Sequence, residues 1–118
     1  MREFPKRGEI YLVCLDPTIG LEINKSRPAL IISNDINNDR APTVTVIPIT
    51  SNTEKTYPFE TLIASRESGL SKKSKAKCNQ IRTIDKLRLQ NLIGKITPEE
   101  LEYVEKALLI HLGISYSF

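Results

Sequence analysis

The chain has 118 residues, 40% of them hydrophobic and 26% charged. That is ordinary usage for one globular domain, large enough to bury its own core without a disulfide or metal staple. A net charge of +3 is too small by itself to argue for nucleic acid, and two cysteines without C-x-x-C spacing, Cys14 and Cys78, predict free thiols rather than a disulfide framework.

In chain order, Met1 to Arg7 carry no apolar signal core, and no later apolar run is long enough to cross a bilayer. A cytoplasmic protein with no membrane partner is expected. The segment 9–15, Glu-Ile-Tyr-Leu-Val-Cys-Leu, reads as a first strand stopped by Asp16-Pro17, with apolar residues on both parities as in a strand packed on both faces. Thr18 to Ser26, with Gly20 and Asn24, reads as a loop. A second strand runs from Arg27 to Ser33, with Pro28 confined to its start or to an edge. Asn34 to Asp39 is turn-rich. Thr43 to Thr50 is a β-branched run of high strand propensity. Phe59 to Ala64 gives a fourth strand, Ser68-Gly69 a turn, Lys75 to Ile84 a fifth strand ending in a helical turn near Asp85, and Leu92 to Ile96 a sixth.

The last element is a helix. Thr97-Pro98-Glu99-Glu100 supplies an N-cap, a proline at the first helical position and a capping-box glutamate. Leu101, Val104, Leu108 and Leu112 recur at helical spacing, and Gly113 stands where a terminating glycine belongs. Short strands followed by one helix predict a mainly β, α+β fold: a small curved antiparallel barrel with a covering helix, one domain over residues 1–118.

Charge is uneven along the chain. Lys72, Lys73, Lys75, Lys77, Arg82, Lys86 and Arg88 cluster against a single Asp85, whereas Glu99, Glu100, Glu102 and Glu105 make the end acidic. If the fifth strand alternates regularly, Lys73, Lys75, Lys77 and Asn79 share one face and form a phosphate track, with Ala76, Cys78 and Gln80 on the other. A solvated charged face is the plainer reading of the same residues.

Several chemistries have no material. The one histidine, His111, reads as a helix-edge residue, so a Ser-His-Asp or Cys-His site is hard to build. No metal-ligand spacing and no glycine-rich phosphate loop occurs, and no metal or cofactor is expected. Arg, Lys, Thr, Ser, Asn or a carboxylate remain. These suit a reaction in which negative charge grows on phosphate oxygens, such as attack of an RNA 2′-OH on its neighbouring phosphodiester.

Four segments together resemble the MazF/PemK family of toxin endoribonucleases. They are Arg7-Gly8-Glu9-Ile10-Tyr11-Leu12-Val13; Leu15-Asp16-Pro17-Thr18-Ile19-Gly20-Leu21-Glu22; Arg27-Pro28-Ala29-Leu30-Ile31-Ile32-Ser33-Asn34-Asp35, extended by Pro42-Thr43-Val44 and Pro48-Ile49-Thr50; and Gln80-Ile81-Arg82-Thr83-Ile84-Asp85-Lys86. Gly94-Lys95 and the terminal helix support them. The resemblance implies an SH3-like barrel of the CcdB/PemK type, working as a homodimer. It also implies metal-independent, sequence-specific cleavage of single-stranded RNA to 2′,3′-cyclic phosphate and 5′-OH ends. A cognate antitoxin would inhibit it by laying an extended acidic segment over the RNA groove.

By position, Arg27 matches the family's catalytic arginine, Thr50 its catalytic threonine, and Glu22 a carboxylate linked to activity in some members. Lys25 and Ser51, beside these, join Lys75, Lys77, Asn79, Gln80 and Arg82 as candidate RNA contacts; Gln80 and Arg82 could equally brace the dimer or the turn at Asp85. Tyr11, Tyr57 and Phe59 are candidates either to stack bases or to fill the core. The sequence departs from the PemK branch, whose base and acid positions hold Asn79 and Lys77 here and whose loop histidine is Leu21. The base therefore stays open between Glu22 and activation by position alone. The alternative on this fold is a CcdB-like gyrase poison. That protein acts through a Trp-containing C-terminus, whereas this chain ends Ser115-Tyr116-Ser117-Phe118 and has no Trp.

Overall fold

The computed structural model describes residues 4–115. The last three residues, weighed above against a gyrase poison's C-terminus, and Met1 to Glu3 lie outside the described residues.

Among the described residues, seven strands and two α-helices form in the order β1 (Glu9–Cys14), β2 (Ser26–Ile31), α1 (Asp35–Arg40), β3 (Thr43–Thr50), β4 (Glu60–Ile63), β5 (Ser74–Lys77), β6 (Arg82–Asp85), β7 (Leu89–Lys95) and α2 (Pro98–Leu112). All strand pairings are antiparallel, and the main path runs β4-β5-β3-β2-β1-β7, with β6 also on β3. The mainly β fold with a C-terminal helix therefore stands, though the barrel is not closed by hydrogen bonds: the path has β4 at one end and β7 at the other. Two glycines bring the backbones together near that gap. A Cβ on Gly69 would overlap the Ile93 carbonyl, and one on Gly94 the carbonyls of Ser68 and Glu67.

The apolar residues of β1, β2 and β3 do occupy both parities, because two cores flank the sheet. Ile10, Leu30, Ile47 and Ile49 face a core with Ile63, Ala76 and Cys78 that α2 covers through Val104 and Ala107. Val13, Ala29, Ile31, Val44 and Val46 face a second core with Leu15 and Ile84. α2 begins with the expected reciprocal capping box between Thr97 and Glu100, and ends at Gly113 in the left-handed region. Arg7 ties this layer down, its Nη2 lying 2.7 Å from Glu105 and its Nε donating to the Ile32 carbonyl.

Two expectations need correction. Asn34 to Asp39 is not only turn: Asn34 caps the short helix α1 by accepting from the Asn37 N–H, and buried Asn38 bonds the Ser33 hydroxyl and carbonyl. The fifth strand is not continuous from Lys75 to Ile84. A 3-10 turn at Cys78–Gln80 divides it into β5 and β6, which pair with opposite ends of β3. Cys78 is the pivot, fully buried with its Sγ 3.9 Å from the Val104 carbonyl. Burial, with Glu60 nearby, pushes its thiol up to about 12, so it is inert as a nucleophile.

Candidate active site

The site forms where β2, β3 and β5 run side by side. Arg27 sits opposite Val13 across β1–β2, and Thr50 opposite Lys75 across β3–β5. The β2–β3 ladder pairs Ala29 with Pro48. Continuing it by two residues sets Arg27 opposite Thr50. By alternation all three polar side chains lie on the face away from the α2-covered core, since Leu30, Ile49 and Ala76 point into that core. Arg27 and Thr50 accordingly line one cleft of about 150 Å³, together with Ile23, Asn52, Lys75 and Lys77. Arg27 also borders a second hollow of about 260 Å³, with Ser51, Ser71, Lys72 and Ser74 in its walls. Arg27 thus borders both hollows. Its Nε donates to the Asn24 carbonyl at 3.2 Å, which fixes the plane of the fork.

The lysine track does not survive. Lys75 and Lys77 share a face, but the 3-10 turn ends the alternation before exposed Asn79. Lys75 is also committed internally. Its side chain is 8% exposed, its Nζ lies 3.0 Å from Glu60 Oε1, and it donates as well to the Lys55 carbonyl. Lys77 is freer: 27% exposed, its Nζ 3.8 Å from Glu60 Oε2.

Glu22 is not brought to the cleft lining; its carboxylate accepts the Ile19 N–H and closes the exposed loop after β1. Gln80 and Arg82 support that same loop. Gln80 Oε1 accepts from the Ile23 N–H at 3.4 Å, and Arg82 Nη1 donates to the Leu15 carbonyl at 3.1 Å. Gln80 therefore holds the cleft wall at Ile23, and Arg82 holds the start of the loop. Lys25, in the left-handed region at φ 65°, holds the loop's other end through its N–H to Asp16 Oδ1 and its carbonyl, which accepts from Leu15.

Asn52, Ser71, Lys72, Ser74 and Glu60 were not singled out as site residues from sequence. Lys72 had a signal in the basic run, and Asn52 lies two residues past Thr50. Ser74 and Glu60 depend on strand register and Ser71 on the bend before β5, neither of which the sequence displays. Tyr57 and Phe59 stack on each other at 5.4 Å beside His111, and Tyr57 is about half exposed. Among the described residues, no group of three or more His, Cys, Asp or Glu side chains could hold a metal ion. A hollow of about 880 Å³ lies instead along the apolar flank of α2 at Leu101, Leu108, Leu109 and Leu112, with Glu102, Glu105 and Lys106 also in its lining.

Residues 6–112 match the family described as PemK-like, MazF-like toxin of type II toxin–antitoxin system. The chain is 42% identical over 114 residues to endoribonuclease MazF9 of Mycobacterium tuberculosis, covering 92% of this chain and 97% of the relative. It is 38% identical over 110 residues to endoribonuclease EndoA of Bacillus subtilis, covering 92% and 95%. Among solved structures it superposes on MazF from Deinococcus radiodurans with a TM-score of 0.83 at 24% identity, covering 96% of this chain and all of the other. A mycobacterial endoribonuclease in complex with its cognate antitoxin superposes with a TM-score of 0.81, also at 24% identity, over 96% and 99%.

Proposed function

Since the chain belongs to the PemK-like, MazF-like toxins of type II toxin–antitoxin systems, we propose that it is an endoribonuclease that cuts single-stranded RNA by attack of a ribose 2′-OH on the adjacent phosphodiester. The observation carrying this reading is the shared cleft of Arg27 and Thr50, with Lys77 at its edge. The 2′-oxygen gives its proton to solvent and bonds to phosphorus, the bond from phosphorus to the 5′-oxygen breaks, and the 5′-oxygen takes a proton from solvent and leaves as a hydroxyl. A 2′,3′-cyclic phosphate remains.

The protein's task in this scheme is alignment and charge. Arg27 meets the non-bridging phosphate oxygens with its planar fork and stabilises the pentacovalent state, while the Thr50 hydroxyl donates to one of the same two oxygens. Arg27 is no base, because a guanidinium stays protonated. The cleft wall of Ile23, Arg27, Thr50, Asn52, Lys75 and Lys77 holds neither carboxylate nor imidazole. Activation of the 2′-OH is therefore positional, helped by neutralising the phosphate it attacks. The nucleophile belongs to the substrate, so the scheme calls for no metal.

The inhibitory partner we infer is a cognate antitoxin whose extended acidic segment occupies the same cationic cleft. The apolar flank of α2 supports a homodimer. A gyrase-binding role on this fold gains no support, since the two relatives described above carry endoribonuclease names. The test is direct: purified protein cuts a mixed single-stranded RNA in EDTA, and Arg27→Ala abolishes cutting while its circular dichroism stays unchanged. Metal-dependent cutting, or full activity in that variant, would overturn the proposal.

A further inference from the structure

At the cleft, β4 and β5 bring together an ionic trio whose buried carboxylate, Glu60, the cleavage scheme does not use. Glu60 is 1% exposed at its side chain, and it faces two lysines unequally, with Lys75 Nζ at 3.0 Å from one carboxylate oxygen and Lys77 Nζ at 3.8 Å from the other. The nearer oxygen also accepts the Tyr57 N–H, and Lys75 reaches across to the Lys55 carbonyl. Strand register produces the cluster: Glu60 pairs with Lys77 and Leu62 with Lys75, so all four side chains project from the same face. A single cation would satisfy a buried carboxylate. A second lysine leaves the trio with one uncompensated positive charge, and the more exposed member of the pair, Lys77, carries it into the cleft with Arg27 and Thr50.

We propose that Glu60 is a positioning residue: an internal counter-anion that neutralises Lys75 and leaves Lys77 as the one phosphate-binding lysine of the cleft. This rests on the reading of the cleft as an RNA site. Glu60 sets how many cationic charges RNA meets, and hence how tightly and how salt-dependently it binds. By the same bonds it fastens the segment around Lys55 and Tyr57 to the cleft floor.

The trio's net charge is the testable quantity. Each phosphate neutralised on a single strand contributes about −0.7 to the slope of log affinity against log salt. Glu60→Gln raises the trio from +1 to +2 and preserves volume and an oxygen acceptor for Tyr57. Its slope is expected to steepen by about 0.7, a change in affinity of roughly 2.6-fold between 50 and 200 mM salt. Lys75→Met lowers the trio to zero and flattens the slope by the same amount. The double variant Glu60→Gln/Lys75→Met restores +1 and the wild-type slope. It also buries no unpaired ion, so it keeps the series informative if a single variant fails to fold.

The probe is a mixed-sequence single-stranded RNA carrying 2′-O-methyl groups, which cannot be cut by 2′-OH attack, titrated against folded protein over a salt series. A purely structural Glu60 would reduce the binding-competent fraction and leave the slope alone. Equal slopes across wild type and folded variants overturn the inference while the RNA-site reading stands. Wild type that fails to bind this RNA and fails to cut its unmodified counterpart overturns the RNA-site reading itself.

Discussion

At the residue scale, the arrangement asks most of Arg27. In the proposed scheme a phosphoryl oxygen gains charge as the 2′-oxygen attacks, and losing one preorganised donor at such a centre costs about 10²–10³ in rate. Arg27→Lys keeps the charge but loses the fork, so it is expected to fall at least 10²-fold in kcat on single-stranded RNA. Thr50→Val removes the hydroxyl with little change of volume and is expected to lower kcat by about 10²-fold with KM nearly unchanged. Steady-state kinetics on one cleavable oligonucleotide checks both. Arg27 opens the recognisable Arg-Pro segment and Thr50 closes Pro-Ile-Thr, and the fold brings these two into one cleft. Glu22, Gln80 and Arg82 sit in equally recognisable segments, yet the fold spends them on closing and bracing the loop after β1. Motif identity places a residue in the chain; only hydrogen bonding says whether its polar atoms remain available for RNA.

At the element scale, the helix α2 was the most legible part, since its cap, its stripe and its terminal glycine are all local signals. The break between β5 and β6 was not legible. No glycine or proline marks Cys78–Gln80, and the turn exists because Cys78 is drawn under α2 while β3 supplies two pairing stretches on one edge. α1 was missed for a related reason: its residues are poor helix formers, and buried contacts of Asn38 hold it. Glu100 links α2 to the segment after β4. Burial alone would raise its carboxyl, but hydrogen bonds from the Ser65 hydroxyl and from the backbone of Thr97, Ala64 and Ser65 outweigh that and hold it below the usual range. A depressed folded-state value contributes stability that is present above the unfolded value and is lost as pH falls through the folded one. Glu100→Gln should therefore cost about 1 kcal/mol at neutral pH and flatten the decline of urea stability below about pH 5. At the barrel gap, Gly94→Ala drives a methyl into two carbonyls and is expected to cost about 1–3 kcal/mol. Gly113→Ala meets no atom and should cost only the left-handed conformation, about 1 kcal/mol, by the same measurement.

At the scale of the whole molecule, the two-core sheet explains why the site is where it is. The α2-covered core occupies one face, so the polar ends of β2, β3 and β5 gather on the other, and the bracing around Ile23 holds a cationic cleft open there. The mainly β fold and its covering helix were legible from strand spacing and capping. The open path between β4 and β7 was not, because closure depends on backbone approach at Gly69 and Gly94 rather than on pattern. In the proposed scheme Arg27 and Thr50 hold a phosphodiester in their shared cleft, and the nucleophile comes from the RNA. The sharpest measurement compares two versions of one RNA containing a mapped cleavage site, all-ribose and with a single 2′-deoxynucleotide on the 5′ side of the scissile bond, both in EDTA. The all-ribose strand should yield a 2′,3′-cyclic phosphate and a 5′-OH, and the deoxy strand should remain whole at that bond. Cutting of the deoxy bond, or products with 5′-phosphates, would contradict it.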